Sequence, residues 1–273
     1  MSSGLKPSLH FSILLAIGAA LAILLVLLPK TVVVNETGME QSASISAADS
    51  TQTDDDVHAS LTAEQEATIK EIKADNSDSN TQFQALSTYF ASQNLFDSAA
   101  YYAEQVALKS QSATDWTKAG DFYYQAYSLS IQPMTMEKNA EKTRKAYQMV
   151  LDKNPRDLHA KTNMAMTYVK SDSPMQAIGM LREVLAENPK YTPAIMSLGA
   201  LSIQSGQYDK AIARFQEVLS YEPANMNAQL GLAYSLIESG DKEKGKVILE
   251  GLLKTDIDDV LKNEINNTLQ SIK

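Results

Sequence analysis

The chain has 273 residues, of which 44% are apolar and 21% charged, and its formal net charge is −9. It contains no cysteine, which excludes a disulfide framework, a thiolate nucleophile and any metal site built on cysteine. Its eight prolines and eleven glycines are too few for a collagen-like or Pro/Gly-rich disordered chain. The acidic balance argues against duplex nucleic acid as the main partner, because phosphates attract basic surfaces.

An uncharged apolar run occupies residues 11–28, after a short tail at residues 1–10. As a helix the run would span about 27 Å, which is enough to cross the hydrocarbon core of a bilayer. We therefore predict one transmembrane helix. A cleaved signal peptide is the alternative, but its apolar region usually has roughly 7–15 residues and ends near a small-residue cleavage site. No such site closely follows residue 28.

Basic residues give little guidance on the orientation of this helix, because Lys6 precedes it and Lys30 follows it. The short tail and the acidic flank beyond Lys30 favour an amino terminus in the cytoplasm. The predicted location is the inner (cytoplasmic) membrane, crossed once, with the rest of the chain in the periplasm. A cytoplasm-facing chain is the alternative.

The next segment, residues 29–61, is rich in Ser, Thr, Ala and Asp. Between residues 31 and 80, eleven acidic residues stand against Lys70 and Lys73, so most of the negative charge is concentrated here. Low hydrophobicity and self-repulsion predict an acidic, disordered linker. A capping-box pattern at Thr62 and Gln65 then predicts a lead helix at 62–78.

The rest of the chain repeats with a period of 34 residues. Three series of residues show the period. The prolines are Pro155, Pro189 and Pro223. The bulky residues are Tyr147, Leu181, Phe215 and Leu249, and the small residues are Thr143, Ala177, Ala211 and Gly245. Each period holds two amphipathic helices, for example at 193–204 and 208–220. We expect Gly199 and Ala211 to let these two helices approach closely, with Phe215 filling the space beside the crossing.

These residues resemble the signature of the tetratricopeptide repeat family, W-x₂-L-G-x₂-Y, A-x₃-F and P. The matching positions are Trp116, Ala119, Gly120 and Tyr123 in one unit, and Leu198, Gly199, Ala211, Phe215 and Pro223 in another. The resemblance covers 80–257, about five units, and implies an all-α, right-handed α-solenoid of helix-turn-helix repeats. The polar stretch 258–273 is expected to form a helix that solvates the open end of the stack.

One unit is longer than the others. Its small residue falls at Thr143 instead of near position 132, which indicates an insertion near 128–138. We expect two lengthened helices and a longer connection that projects from the array. Neutral loop variation and a segment that contacts a partner are both open interpretations.

No catalytic pattern is present in the sequence. The histidines His10, His58 and His159 are not spaced to pair with a second ligand or a nucleophile, and no phosphate-binding or hydrolase motif occurs. We expect no enzyme activity, no cofactor and no metal site.

Binding is the class of function that the resemblance implies, because partners of this family usually lie in a groove lined by the first helices. The positions predicted to face that groove are Tyr124, Met166, Val169, Met196, Ala200, Ile203, Leu230, Tyr234 and Ile237. Such a lining suits an apolar helix or extended segment of a protein partner. Alternatively, several of these residues only pack against the adjacent repeat.

The sequence thus predicts a membrane-anchored scaffold for a protein or peptide partner, with no nucleic acid bound. An accessory or assembly factor in a membrane-associated maturation pathway, of the cytochrome maturation type, is an alternative. A cytoplasm-facing signalling or targeting adaptor is another.

Overall fold

The computed structural model describes residues 61–171 and 173–272. Within these ranges the chain is all-α, with twelve helices and no strand. It divides after Pro155 into two compact units. The predicted tail (1–10), transmembrane helix (11–28) and linker, except Leu61, lie outside the described residues. None of the helices in the described ranges is both long and apolar enough to cross a membrane.

The first unit contains five helices. They are α1 (Ala63–Ala74), α2 (Ser79–Ser92), α3 (Phe96–Ser110), α4 (Ala113–Leu129) and α5 (Pro133–Lys153). Each helix packs against the next one in the chain. The lead helix predicted at 62–78 therefore runs from Ala63 to Ala74, and the chain turns before α2.

The second unit contains seven helices. They are α6 (Leu158–Met166), α7 (Pro174–Glu187), α8 (Thr192–Gln204), α9 (Tyr208–Tyr221), α10 (Met226–Ser239), α11 (Lys242–Leu252) and α12 (Asp259–Ser271). Consecutive helices pack together, and in addition α6 contacts α8 and α8 contacts α10. The first helices of successive pairs therefore form a continuous layer.

Short polar side chains begin many of these helices. At α1, Thr62 accepts a hydrogen bond from the Gln65 amide and the Gln65 side chain accepts one from the Thr62 amide, which is the predicted capping box. Asp78, Ser112, Asp157, Asn225 and Asp258 likewise accept bonds from amides in the first turn of the following helix. The sequence thus specifies where these six helices start.

A buried aromatic ring between two glycines organises the second unit. Phe215 on α9 is fully buried, and a Cβ atom added to Gly199 on α8 would lie 2.7 Å from its ring. A Cβ added to Gly231 on α10 would lie 2.6 Å from the same ring. At such distances a larger residue would force the ring or a helix to shift, so the two glycines allow both first helices to approach the ring. The predicted close approach of Gly199 and Phe215 is confirmed.

The first unit uses the same device with a tyrosine. A Cβ on Gly120 would lie 2.7 Å from the ring of Tyr147, which is fully buried between α4 and α5. The Tyr147 hydroxyl donates a hydrogen bond of 2.6 Å to Asp121 Oδ1. The polar tip of the ring therefore has a partner, as a buried tyrosine requires.

The long repeat unit differs from the expectation in one respect. Helix α4 has 17 residues and α5 has 21, so both helices are lengthened as predicted. The connection between them, however, is only 130–132. The prediction of a longer connection is wrong, because Pro133 starts α5 at its first position, where the missing N–H has no helical acceptor to lose.

Replacing Gly231 with alanine is expected to lower the free energy of unfolding of the full chain by about 1–3 kcal/mol, because the new methyl group overpacks a buried ring. Gly179 is the matched control. It lies on the exposed side of α7, and a Cβ there would meet nothing within 4 Å. Gly179→Ala should therefore raise the stability by about 0.5–1 kcal/mol. Urea unfolding followed by circular dichroism measures both changes, and equal effects would contradict the packing described.

Candidate partner-binding face

The layer formed by α6, α8 and α10, with the turn that follows α6, carries five of the predicted groove residues in half-buried positions. We call these residues the first-helix face: Met166, Val169, Ala200, Leu230 and Tyr234. Tyr234 packs at the edge of the cluster around Phe215, and Leu230 at the edge of the cluster around Ile265. These two side chains are thus held on one side by the core and are partly open to solvent on the other.

Three other predicted groove residues of the second unit are buried. Met196 is 7% exposed and Ile203 5%, and both belong to the cluster that contains Phe215. Ile237 is also 7% exposed and packs with the last helices. These three therefore match the alternative interpretation, in which the side chain packs against the adjacent repeat. For Met196 and Ile203 the reason is the packing of α8 and α10 on the Phe215 ring. Ile237 is covered by α11, where a Cβ on Gly245 would lie 2.6 Å from its side chain.

Tyr124 is the predicted groove residue in the first unit. It is half-buried on α4, and its ring centroid lies 6.0 Å from that of Tyr127. Burial is the main cause that raises the pKa of Tyr124 above its ordinary value, and the nearby Tyr127 raises it further. Tyr124 thus belongs to a different compact unit from the first-helix face.

An acidic group adjoins the first-helix face at α10. Glu238 is exposed and follows Tyr234 by one helical turn, and the Tyr208 hydroxyl donates a 3.5 Å hydrogen bond to it. Burial raises the pKa of Tyr234, and the nearby Glu238 adds to that effect. Sequence analysis, which selected apolar residues, missed Glu238. The spacing of four residues from Tyr234 is the signal that could have found it.

A second carboxylate joins two repeats of the second unit. Glu222, at the end of α9, accepts hydrogen bonds from the Thr192 hydroxyl and from the Asn225 side chain, the latter at 2.7 Å. These two bonds hold the pKa of Glu222 below its ordinary value, and the bond from Thr192 has the larger effect. This carboxylate is used to fix the start of α8 relative to the start of α10.

A buried polar group joins three helices of the first unit. The Tyr123 hydroxyl on α4 donates a 2.6 Å hydrogen bond to Glu104 Oε2 on α3. Lys142 on α5 donates to the same hydroxyl at 3.4 Å, and its Nζ lies 5.0 Å from the centre of the Tyr123 ring. Burial raises the pKa of Tyr123 well above its ordinary range, and the negative charge of Glu104 raises it further. Burial also lowers the pKa of Lys142.

The titratable side chains of the described residues do not assemble into a metal centre. Within that part of the chain, no three or more His, Asp or Glu side chains are placed to hold a metal ion. His159 contacts its own helix, where its Nε2 lies 3.2 Å from the Asn163 side-chain nitrogen.

The fold and the face define a class, namely stacked antiparallel helix pairs with a 34-residue period. Residues 202–260 match the sequence profile of the tetratricopeptide repeat. A solved structure, TTC0263, a thermophilic TPR protein in Thermus thermophilus, is 16% identical, with a TM-score of 0.56 over 70% of this chain and 100% of that one. This likeness shows the fold, so the described helices are tetratricopeptide-like repeats.

Other solved structures are similar at lower scores. YrrB, described as a TPR protein with an unusual peptide-binding site, is 18% identical, with a TM-score of 0.43 over 74% of this chain and 97% of that one. MamA from Desulfovibrio magneticus RS-1 is 14% identical, with a TM-score of 0.47 over 65% and 95%. No curated protein matches the chain significantly.

The Tyr123 group predicts an alkaline loss of stability. Because the folded chain holds this proton above the pH at which an unfolded tyrosine loses it, near pH 10, its stabilisation is present below that pH and is lost as the pH rises. Tyr123→Phe should lower stability at pH 7 by about 1 kcal/mol and should make the decline above pH 10 shallower.

Lys142 supplies the control, because its lowered pKa gives a pH slope of the opposite sign. The unfolded chain binds this proton more tightly, so stability rises with pH between the lowered pKa and the ordinary lysine value of 10.5. Lys142→Met should remove this rise and make the slope below pH 10.5 more negative, without changing the decline above it. Urea unfolding at a series of pH values between 7 and about 11.5 measures both slopes. An unchanged slope in Tyr123→Phe would contradict the role given to this hydroxyl.

Proposed function

We propose that this chain is a membrane-anchored scaffold that binds a protein partner through the first-helix face. The half-buried apolar side chains on the continuous layer of α6, α8 and α10 carry this proposal. Side chains fixed by a core on one side and open on the other offer apolar area with little further loss of conformational entropy on binding. The fold supports a binding role because each helix pair presents its first helix next to the following one.

The lining of the face suggests the chemistry of the partner. Met166 and Leu230 can adapt to an irregular apolar surface, and Tyr234 adds a large ring with a polar tip. Glu238 lies exposed beside Tyr234 and favours a basic residue at that end. The partner segment we propose is therefore an apolar helix or extended peptide that carries a lysine or arginine beside its apolar side chains.

Membrane attachment through residues 11–28 is the second half of the proposal. The uncharged apolar run supports an uncleaved anchor, and the 29–61 linker would let the repeats move within about 30 Å of the bilayer. The inner (cytoplasmic) membrane, with the repeats on the periplasmic side, is the location that we propose.

Site-specific photo-cross-linking in cells tests the face. The photoreactive p-benzoylphenylalanine in place of Tyr234 should give a discrete adduct with a partner. The same group in place of Val247, which is 66% exposed on the second helix α11, should give none. Equal adducts from both positions would overturn the assignment of the face.

A charge inserted in the face sharpens this test. Met166→Lys should reduce the Tyr234 adduct roughly tenfold, because it places an ammonium group in an apolar contact. Met175→Lys is the matched control, since Met175 is 70% exposed on the second helix α7 and lies outside the face. A loss of the adduct in Met175→Lys alone would place the partner elsewhere.

A topology reporter tests the orientation. A reporter enzyme that is active only in the cytoplasm, fused after Lys273, should be inactive, and one that is active only in the periplasm should be active. The opposite pattern would favour the cytoplasm-facing adaptor. Because the reporter reads only the side of the membrane, this result is independent of the first-helix face.

A further inference from the structure

The tip of the long helix pair exposes three large apolar side chains. Ile131 is 92% exposed, Met134 86% and Leu129 48%, all within six residues at the turn between α4 and α5. We call residues 129–134 the α4–α5 tip. Among the described residues, Ile131 and Met134 are the most exposed of the large apolar side chains, and the packing of the repeats does not explain why they are apolar.

The tip lies in the middle of an uncharged stretch. Residues 122–136 contain no charged side chain, although 21% of the whole chain is charged. The next charge along α5 is Glu137, and its carboxylate pairs with Arg144 at 2.7 Å. The apolar side chains can therefore leave water without carrying an unpaired charge with them, which would be the main cost.

Part of the polar backbone at the tip is satisfied internally. The Ser130 amide donates to Tyr127 O at 3.2 Å, and the Ser130 hydroxyl donates to Ala126 O at 2.7 Å. The Asn139 side chain donates to that hydroxyl at 3.2 Å, and Gln132 O accepts from the Met136 amide at 2.9 Å. The Gln132 side chain is exposed and does not cap α5. A contact that leaves Gln132 in water therefore fits the polar–apolar interface of a bilayer and not its hydrocarbon core.

The tip is too small for a stable protein interface by itself. Such interfaces use roughly 20–30 residues on each side. The tip offers only three apolar side chains, one in the turn and one on each of the two flanking helices. A weak contact is sufficient, however, when the chain is tethered beside its target, because the tether supplies a high effective concentration.

The proposed anchor is such a tether. The described part of the chain starts at Leu61, directly before the unit that carries the tip. A flexible linker with the length of residues 29–61 would reach about 30 Å. Helix α5, with 21 residues, is also about 30 Å long. The proposed anchor would therefore hold the first unit within about its own length of the bilayer.

We propose that the α4–α5 tip inserts Ile131 and Met134 into the interface of the bilayer in which the chain is anchored. This proposal rests on the anchor in the proposed function and adds a second membrane contact to it. The inserted side chains orient the first unit against the membrane, while Asn139, which is buried directly behind the tip, stays in the fold.

The absence of cysteine makes a direct test simple, because each variant has a single reactive thiol. The full chain is reconstituted into phosphatidylcholine and phosphatidylglycerol vesicles as Ile131→Cys or Met134→Cys, labelled with the environment-sensitive dye NBD. Emission is recorded with and without a nitroxide-labelled lipid. We expect a blue-shifted emission and a loss of intensity with the nitroxide lipid at both positions.

Two labelled controls separate this proposal from the anchor. Val260→Cys, at an exposed valine (78%) on α12, should report water and no quenching. Ala16→Cys, inside the predicted transmembrane run, should be quenched if the anchor is embedded. Quenching at Ala16 without quenching at Ile131 and Met134 would overturn the tip proposal and leave the anchor standing. Loss of quenching at all three positions would overturn both.

Two further outcomes would contradict insertion of the tip into the bilayer. A blue shift at Ile131 without quenching by the nitroxide lipid would mean that the tip packs against protein, and this would overturn the bilayer contact. Quenching at Val260 equal to that at Ile131 would mean general adsorption of the chain, which would overturn it as well.

Discussion

The packing of Phe215 between Gly199 and Gly231 is the contact on which the second unit depends. One ring on α9 meets the backbone of two first helices, α8 and α10, so it sets the distance between neighbouring repeats and not only within one repeat. Protein interiors are packed as densely as organic crystals, so a ring in such a slot leaves little freedom in helix spacing. The close approach of α8 and α10 follows from this single contact.

The same constraint decides what the face can offer to a partner. Because α8 and α10 are drawn together, Met196 and Ile203 are enclosed with the ring, and they contribute stability. Leu230 and Tyr234 on α10 remain half-buried. The same first helices thus carry both core and face residues, since α8 also holds half-buried Ala200 and α10 also holds buried Ile237. In the first unit, the Tyr147 ring packs against Gly120 in the same way, and the Tyr147 hydroxyl donates a hydrogen bond to Asp121.

The sequence predicted those features that depend on local chemistry or on the repeat itself. Caps such as Thr62 with Gln65 depend on residues three apart, and the 34-residue period located the helix pairs and the contact of Gly199 with Phe215. The length of the connection near Pro133 was not predicted correctly, because an insertion can lengthen a loop or two helices with the same residue count. In the structure the inserted residues extend α4 and α5 and do not lengthen the loop.

The site was predicted less well than the fold. Periodicity indicates the direction in which a side chain points, but it does not tell whether a neighbouring helix covers that direction. Met196 and Ile203 are covered by the cluster around Phe215, and Ile237 by residues of α11 and α12. This cover depends on how the helices pack together, which the periodicity does not show. Glu238 escaped notice because a lone exposed carboxylate is common on helices, and its significance depends on the Tyr234 and Tyr208 rings beside it.

A double-mutant cycle tests most directly whether the Phe215 contact couples neighbouring repeats. The free energy of unfolding is measured for the unmodified chain, Gly231→Ala, Phe215→Leu and the double variant. If the ring fills the slot left by Gly231, alanine at position 231 should cost much less in the Phe215→Leu background, with a coupling free energy of about 1 kcal/mol or more. Additive effects, within about 0.3 kcal/mol, would mean that the ring and the glycine act independently and would contradict the role given to this contact.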